Sequence, residues 1–269
     1  MKYFAMMSAV FISLTFWSQE AAEKKVQAGI AFGTGFNFNE SGTRNMEVAG
    51  LGNSLMIGVD FNYELSKTIA FSSGLMVDFE TNKIRPAAEL GNVYYHFDDK
   101  AILRMQDANA NSDIFQLVER SQKPVYVTIP TMLMFRTKFF GYNRFFSKIG
   151  LRNSFLVSNK VNDSGFTFEN NDIDDSPITS SNENMSISRN MNIFRSSFAF
   201  SLGYEWNFSG TTSLVGEVGY RLGFVPIYFS ASEKNQSNFY FDSDNNNAQT
   251  YYNDAMNQNQ LHLRISVLF

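Results

Sequence analysis

Residues 55–65 read LMIGVDFNYEL, and they alternate between large apolar side chains and polar or small ones. One face of an extended chain would carry Leu55, Ile57, Val59, Phe61, Tyr63 and Leu65. The opposite face would carry Met56, Gly58, Asp60, Asn62 and Glu64. An amphipathic helix needs apolar residues at positions i, i+3, i+4 and i+7, and this stretch does not have them. The period of two predicts a β-strand with one apolar face.

The same alternation recurs in seven other segments, at residues 26–38, 69–80, 125–138, 145–158, 194–208, 214–224 and 261–269. Segment 125–138 is the weakest, because either of its faces could be the apolar one. Pro130 also removes a backbone hydrogen-bond donor from its middle, so we expect a bulge or a local distortion there. The pattern predicts eight strands.

The connections between these segments alternate in length. Those at residues 66–67, 139–144 and 209–211 are short, and those at 39–53, 81–123, 159–190 and 227–259 are long. An up-and-down membrane barrel has short periplasmic turns and long external loops. The sequence therefore predicts an all-β fold, an eight-stranded antiparallel up-and-down transmembrane β-barrel with long extracellular loops and periplasmic termini. Residues 107–120 could form a short helix within one loop, with Ile114, Leu117 and Val118 as its apolar side.

Composition narrows the function classes. The chain has 269 residues, 28 of them Phe, and no Cys, which excludes disulfides and thiolate metal sites. A net charge of -4 with a pI near 5.3 provides no basic footprint for nucleic acid. The mean hydropathy of -0.21 is too low for a helical membrane protein, but it averages apolar strand faces with polar loops.

The N-terminus has the form of a signal peptide. Lys2 provides a positive charge, residues 3–17 are mostly apolar, and small or polar residues follow. The apolar run is shorter than the roughly 20 residues that a spanning helix needs. We therefore predict a signal peptide at residues 1–19 and the barrel at residues 20–269.

Residues 127–157 (VTIPTMLMFRTKFFGYNRFFSKIGLRNSFLV) resemble the strand–turn–strand region of the PorT-type outer-membrane β-barrel family, found chiefly in Bacteroidota. The strand with Gly29, Gly33 and Gly35, and the terminal Phe269, are also similar to that family. The resemblance implies an outer-membrane location. Because one member of the family is needed for type IX secretion, it also implies a role beside a secretion or surface-assembly complex.

The polar faces of the strands would point into the barrel and carry both acidic and basic residues. They are Asp60, Glu64, Asp78, Glu80, Lys148, Arg152, Arg195, Glu205, Glu217, Arg221, His262 and Arg264. The interior of an eight-stranded barrel is just wide enough for side chains to fill it. We expect these charges to pair across the lumen as a structural plug. The alternative is a narrow pore, gated by re-pairing of the same charges.

The sequence of the last strand also indicates which molecules the protein would contact. Its apolar face carries Leu261, Leu263, Ile265, Val267 and the terminal Phe269, which is the form of the signal that the barrel-insertion machinery recognises. Outer-membrane lipids would contact that face. A protein partner could dock on the aromatic residues of the loops, but these could equally pack the loops onto one another. They are Tyr94, Tyr95, Phe97, Phe166, Phe168, Phe239, Tyr240, Phe241, Tyr251 and Tyr252.

Catalysis and cofactors have weak support. His96 lies near Asp98 and Asp99 in a polar loop, and His262 falls on the lumen face. We predict a non-enzymatic protein, with an outer-membrane enzyme acting on lipid or peptide as the alternative. Calcium is not expected, because a loop of EF-hand type starting at Asp242 would place Asn247 and Asn253 where Gly and Glu are needed. The acidic run of Asp172, Asp174 and Asp175 is better interpreted as a solvated loop. No metal or other cofactor is predicted.

Overall fold

The computed structural model describes residues 25–41, 46–88, 91–103, 107–108, 112–187, 191–228, 240–241 and 256–269. The predicted signal peptide lies outside these residues. Within them, no helix is long and apolar enough to cross a membrane.

Eight long strands form the main body. Their bounds are β1 Val26–Ser41, β3 Gly52–Glu64, β4 Ile69–Pro86, β7 Asp113–Arg136, β8 Asn143–Phe168, β10 Phe194–Ser209, β11 Thr212–Gly223 and β13 Met256–Leu268. Five further strands lie between them in the chain, namely β2 Met46–Val48, β5 Val93–Asp98, β6 Ala101–Ile102, β9 Pro177–Ile187 and β12 Tyr240–Phe241. A 3-10 turn at Glu169–Asn171 precedes β9.

Each long strand pairs in antiparallel fashion with the next long strand along the chain. The last then pairs with the first, with Gly29 opposite Leu268 and Ser41 opposite Met256. This circuit leaves no edge among the long strands, so backbone donors and acceptors find partners within the sheet, as a bilayer requires. The all-β prediction is confirmed. The sheet contains more strands than the eight predicted, because segments expected to be loops also form strands.

Side chains alternate between a buried interior and an exposed exterior along these strands. The exterior is strongly apolar. In β13, for example, Leu263 and Ile265 are 50% and 61% exposed, and Leu261 and Phe269 also lie on the outside. Val267 is on the same face and is half-buried. A face of this composition suits contact with lipid.

The short connections, the start of β1 and the end of β13 lie together at one end of the barrel. The backbone amide of Ala28 donates a hydrogen bond of 3.4 Å to the carbonyl oxygen of Phe269. The backbone amide of Arg136 donates one of 2.8 Å to the carbonyl oxygen of Thr68. The backbone of Asn207 similarly donates to Tyr142 at 2.8 Å. The long connections therefore leave from the opposite end, which we call the outer end.

The outer end carries a second, smaller ring of strands. Beyond the main barrel, β7 pairs with both β5 and β8, β8 pairs with β9, and β9 pairs with β6 in parallel. Strand β6 returns to β5 and closes the circuit. We call this ring, with the side chains inside it, the outer assembly.

The expected helix at residues 107–120 is wrong, because β7 begins at Asp113. Phe115 and Leu117 both point into the outer assembly and are almost fully buried, a spacing of two that only a strand provides. Cross-strand pairing with β5 and β8 therefore overrides the local helical spacing. The predicted loops at 81–123 and 159–190 are shorter than expected for the same reason.

Pro130 distorts the sheet only locally. The pairing of β4 with β7 is interrupted opposite Pro130 and resumes without a change of register. Ser73 donates a side-chain hydrogen bond of 2.8 Å to the Pro130 carbonyl oxygen. The two register shifts between β7 and β8 lie elsewhere, between Leu117 and Glu119 and between Val125 and Tyr126. The sheet thus accommodates the missing backbone donor of Pro130 through a gap in the pairing of β4 with β7.

Candidate lumenal charge network

The polar faces of the eight long strands enclose the candidate site. Eleven of the twelve lumenal residues predicted from the alternation are buried in the structure, and Glu64 is half-buried. The charges are arranged in successive levels from the end that carries the termini to the outer end. We describe these levels in turn.

At the level nearest the termini, two arginines bind two glutamates. Arg136 donates to Glu64 at 2.7 Å, and Arg144 binds both carboxylate oxygens of Glu205 at 2.7 and 3.0 Å. The side-chain oxygen of Gln27 accepts a hydrogen bond from Arg136 at 3.1 Å. The sequence analysis missed both arginines, because Arg136 ends the ambiguous strand and Arg144 was assigned to a turn.

The next level centres on Glu217. Lys148 donates to its carboxylate at 2.8 Å, and Arg264 binds both Glu217 and Asp60, the latter at 3.0 Å. His262 Nε2 lies 3.8 Å from Glu217 Oε1, too far for a hydrogen bond. A Cβ atom at Gly219 would meet the His262 ring at 2.5 Å, so the glycine leaves room for the imidazole.

Asp78 forms the third level and faces two arginines. Its Oδ2 atom lies 3.5 Å from Arg152 Nη2 and 3.6 Å from Arg221 Nη1. Thr128 donates to the same oxygen at 2.8 Å. Strands β4 and β11, which carry Asp78 and Arg221, are opposite each other in the circuit of eight. This contact therefore spans the lumen.

The level closest to the outer end is again a closed ion pair. Arg195 binds both oxygens of Glu80, at 3.1 and 2.6 Å, and lies 4.0 Å from the centre of the Tyr126 ring. Gln258 donates to Glu80 at 3.2 Å. Next to this pair, amide and hydroxyl side chains hydrogen-bond to one another across the lumen, namely Asn37, Ser54, Asn82 and Gln260.

The outer assembly closes this end with an apolar core around one buried ion pair. Arg120 binds Asp163 through two hydrogen bonds of 2.8 and 2.6 Å, and both side chains are completely buried. The apolar core around this pair comprises Met46, Ile84, Val93, Tyr95, Ile102, Phe115, Leu117, Tyr126, Val161, Met185, Ile187, Met191, Ile227, Tyr228 and Met256. The sequence analysis placed Arg120 and Asp163 in loops and missed them.

The loop aromatics that the structure describes pack the loops onto one another. Tyr95 contacts Phe115 with ring centres 5.2 Å apart, and Tyr94 contacts Phe168 at 6.0 Å. Phe97 and Phe166 are also partly buried. The backbone of β12, which contains the predicted Tyr240 and Phe241, pairs with β5. Phe239, Tyr251 and Tyr252 lie outside the described residues.

The candidate catalytic and metal residues lie apart from one another. His262 is 2% exposed inside the lumen, where a substrate at the rim would not reach it. His96 is half-buried in β5, and burial lowers the pKa of its imidazole, which favours the neutral form. Within the described part of the chain, no three His, Asp or Glu side chains are placed to hold a metal ion. Asp242 and Asp244 lie outside that part.

Charged side chains from non-adjacent strands meet inside the barrel at several levels. Basic side chains from β8, β10, β11 and β13 meet carboxylates from β3, β4 and β11 across the lumen. Charged groups in a low-dielectric interior are tolerated when they are paired and hydrogen-bonded, as most of these are. The outer core then covers one end. The network links strands on different sides of the barrel.

The chain is similar to several solved structures. Similar solved structures include OprG from Pseudomonas aeruginosa, 9% identical with a TM-score of 0.42, covering 90% of this chain and 93% of OprG. Neisserial surface protein A is 8% identical with a TM-score of 0.35, covering 90% of this chain and 95% of that one. With TM-scores below 0.5, these likenesses carry no functional conclusion. No curated protein matches the chain.

A family model matches over most of the chain. It covers residues 17–213 and describes an outer membrane protein beta-barrel domain. The matched region contains strands β1 to β10, the first two residues of β11, and most of the lumenal charges. The chain belongs to the family of outer membrane proteins with this beta-barrel domain.

Proposed function

We propose that this protein is a non-conducting, non-enzymatic scaffold of the outer membrane. In this proposal the eight long strands span the bilayer and the outer assembly faces the outside. The termini then lie in the periplasm, on the side of the short turns. The observation that carries the proposal is the lumen, because ion pairs join non-adjacent strands inside it, Asp78 and Arg221 from opposite strands among them, and an apolar core covers its outer end.

A gated pore and an enzyme have less support. A pore would require several buried ion pairs to separate, and each separation leaves charges uncompensated in a low-dielectric interior. An enzyme at the rim would need a histidine within reach of a nucleophile and a substrate. His262 is enclosed in the lumen, and His96 packs in β5 within the outer assembly.

We further propose that the outer assembly binds a protein partner, as an accessory of a secretion or surface-assembly complex. The resemblance to PorT-type barrels motivates this assignment. The fold supports this proposal. A rigid outer ring, formed by β5, β6, β9 and the outer parts of β7 and β8, presents a preformed surface outside the membrane. Preformed surfaces bind with a smaller entropic cost than mobile loops do.

Co-purification from native outer membranes tests this role. The double substitution Val118→Asp and Ile178→Asp places charges on exposed apolar side chains of the outer part of β7 and of β9, which are 48% and 52% exposed, and we expect it to abolish recovery of the partner that wild-type protein retains. Tyr142→Ala is the matched control, because Tyr142 is 70% exposed in a turn at the opposite end, and it should retain the partner. Both variants must run as folded, heat-modifiable barrels. Recovery of an unchanged set of proteins by the doubly substituted variant would contradict partner binding through the outer assembly.

A further inference from the structure

The charges of the lumen do not balance within the described residues. The lumen contains seven basic side chains and six carboxylates. The basic ones are Arg136, Arg144, Lys148, Arg152, Arg195, Arg221 and Arg264, and the acidic ones are Asp60, Glu64, Asp78, Glu80, Glu205 and Glu217. With His262 neutral, one positive charge is in excess. An uncompensated charge is costly in such an interior.

The excess is confined to the level of Asp78. Every other level pairs its cations and carboxylates in equal numbers: two arginines with two glutamates near the termini, Lys148 and Arg264 with Glu217 and Asp60, and Arg195 with Glu80. At the Asp78 level, Arg152 and Arg221 share a single carboxylate at 3.5 and 3.6 Å. Bidentate arginine–carboxylate pairs are normally closer than this.

The two arginines also retain unused hydrogen-bond donors. Three of their nitrogen atoms are buried without a hydrogen-bond partner, namely Nε and Nη2 of Arg152 and Nε of Arg221. The two residues are only 2% and 4% exposed. The Nη2 atom of Arg221 contacts only a thioether, the Sδ atom of Met56, at 2.8 Å. The hydroxyl of Ser201 is likewise unpaired, but Ser201 lies opposite Lys148 and Gly219, at the level of Glu217.

We propose that the Asp78 level binds one small monovalent inorganic anion of the size of chloride, held by Arg152 and Arg221. One negative charge would balance the excess, whereas a divalent anion would overcompensate it. The unused N–H groups of the two arginines would donate to the anion. The surrounding levels, filled with paired side chains, exclude larger organic anions.

Urea unfolding of the purified barrel in detergent micelles tests the site, with chloride replacing gluconate at constant ionic strength. The wild-type midpoint is expected to move to higher urea with increasing chloride and to saturate, because the anion binds only the folded state. Arg221→Met keeps an apolar stem of similar length, and its midpoint should not respond to chloride. Arg144→Met is the matched control: it breaks the pair with Glu205 at another level and should keep the chloride response.

A second measurement makes the proposal independent of the folding of these variants. Crystals of the wild-type protein grown in bromide should give an anomalous peak between Arg152 and Arg221. The absence of that peak, together with a wild-type midpoint that does not depend on chloride, would overturn the proposal. An equal chloride response in wild type and Arg221→Met would also overturn it, because the effect would then arise elsewhere.

Discussion

Replacing Glu217 with Gln is expected to lower the free energy of unfolding of the barrel by about 3–5 kcal/mol, the usual effect of removing one partner of a buried ion pair. The Glu217 carboxylate binds Lys148 and Arg264 in a level where all three side chains are almost fully buried. Glutamine has nearly the same shape, so the loss comes from charge rather than packing. Two cations would be left with Asp60 as their remaining carboxylate.

Urea titration followed by fluorescence of Trp206, which is 46% exposed on the outer face, measures this loss. Glu47→Gln is the matched control. Glu47 also binds an arginine, with Arg85 Nη2 at 2.8 Å, but both side chains are about half exposed. An exposed pair of this kind contributes only about 0–1 kcal/mol. If the two variants lose the same stability, the lumen is hydrated well enough that its ion pairs do not hold the barrel together.

Asp163→Asn is expected to open the outer assembly while the barrel stays folded. Arg120 and Asp163 are completely buried and joined by two hydrogen bonds, so the substitution leaves a buried guanidinium without its counter-charge. A loss of about 3 kcal/mol in the free energy of local opening corresponds to roughly a hundredfold larger open population. Chymotrypsin cleavage at Phe115, which is inaccessible in the closed assembly, should accelerate by about that factor.

The measurement is made on protein in lipid vesicles, with the cleavage site identified by mass spectrometry. Glu119→Gln is the control on the same strand, because Glu119 lies 3.8 Å from Lys83 with both side chains exposed. Its cleavage rate should stay close to that of wild type. A rate for Asp163→Asn no higher than that of Glu119→Gln would mean that the ion pair does not keep the outer assembly closed.

The sequence was most informative where a strand is exposed to different environments on its two faces. Residues 55–65 show why: Leu55, Ile57 and Phe61 are on the outside, while Met56 and Asp60 are buried inside. A period of two is a local property, so the faces of seven of the eight segments can be predicted from sequence alone, and only segment 125–138 leaves its two faces undecided. Which acid pairs with which base could not be predicted, because partners such as Arg195 and Glu80 are 115 residues apart.

The outer assembly could not be predicted, for physical reasons that individual strands illustrate. β9 is exposed along most of its length, and only Met185 and Ile187 are buried, so its sequence has no apolar alternation to detect. β6 has two residues and depends on β5 and β9 for its pairing. Arg120 and Asp163 resemble ordinary polar loop residues until the ring of strands encloses them. Arg136 and Arg144 were missed because strand boundaries are poorly specified near turns.

Single-channel recording in planar lipid bilayers tests the central claim most directly, namely that the lumen is filled and closed. The wild-type protein, inserted as a folded barrel, is expected to give no stable conductance steps at moderate voltage, because ion pairs cross the lumen at several levels. Large, long-lived channels from the same preparation would contradict that account. They would identify the protein as a pore whose charged interior lines a path for ions.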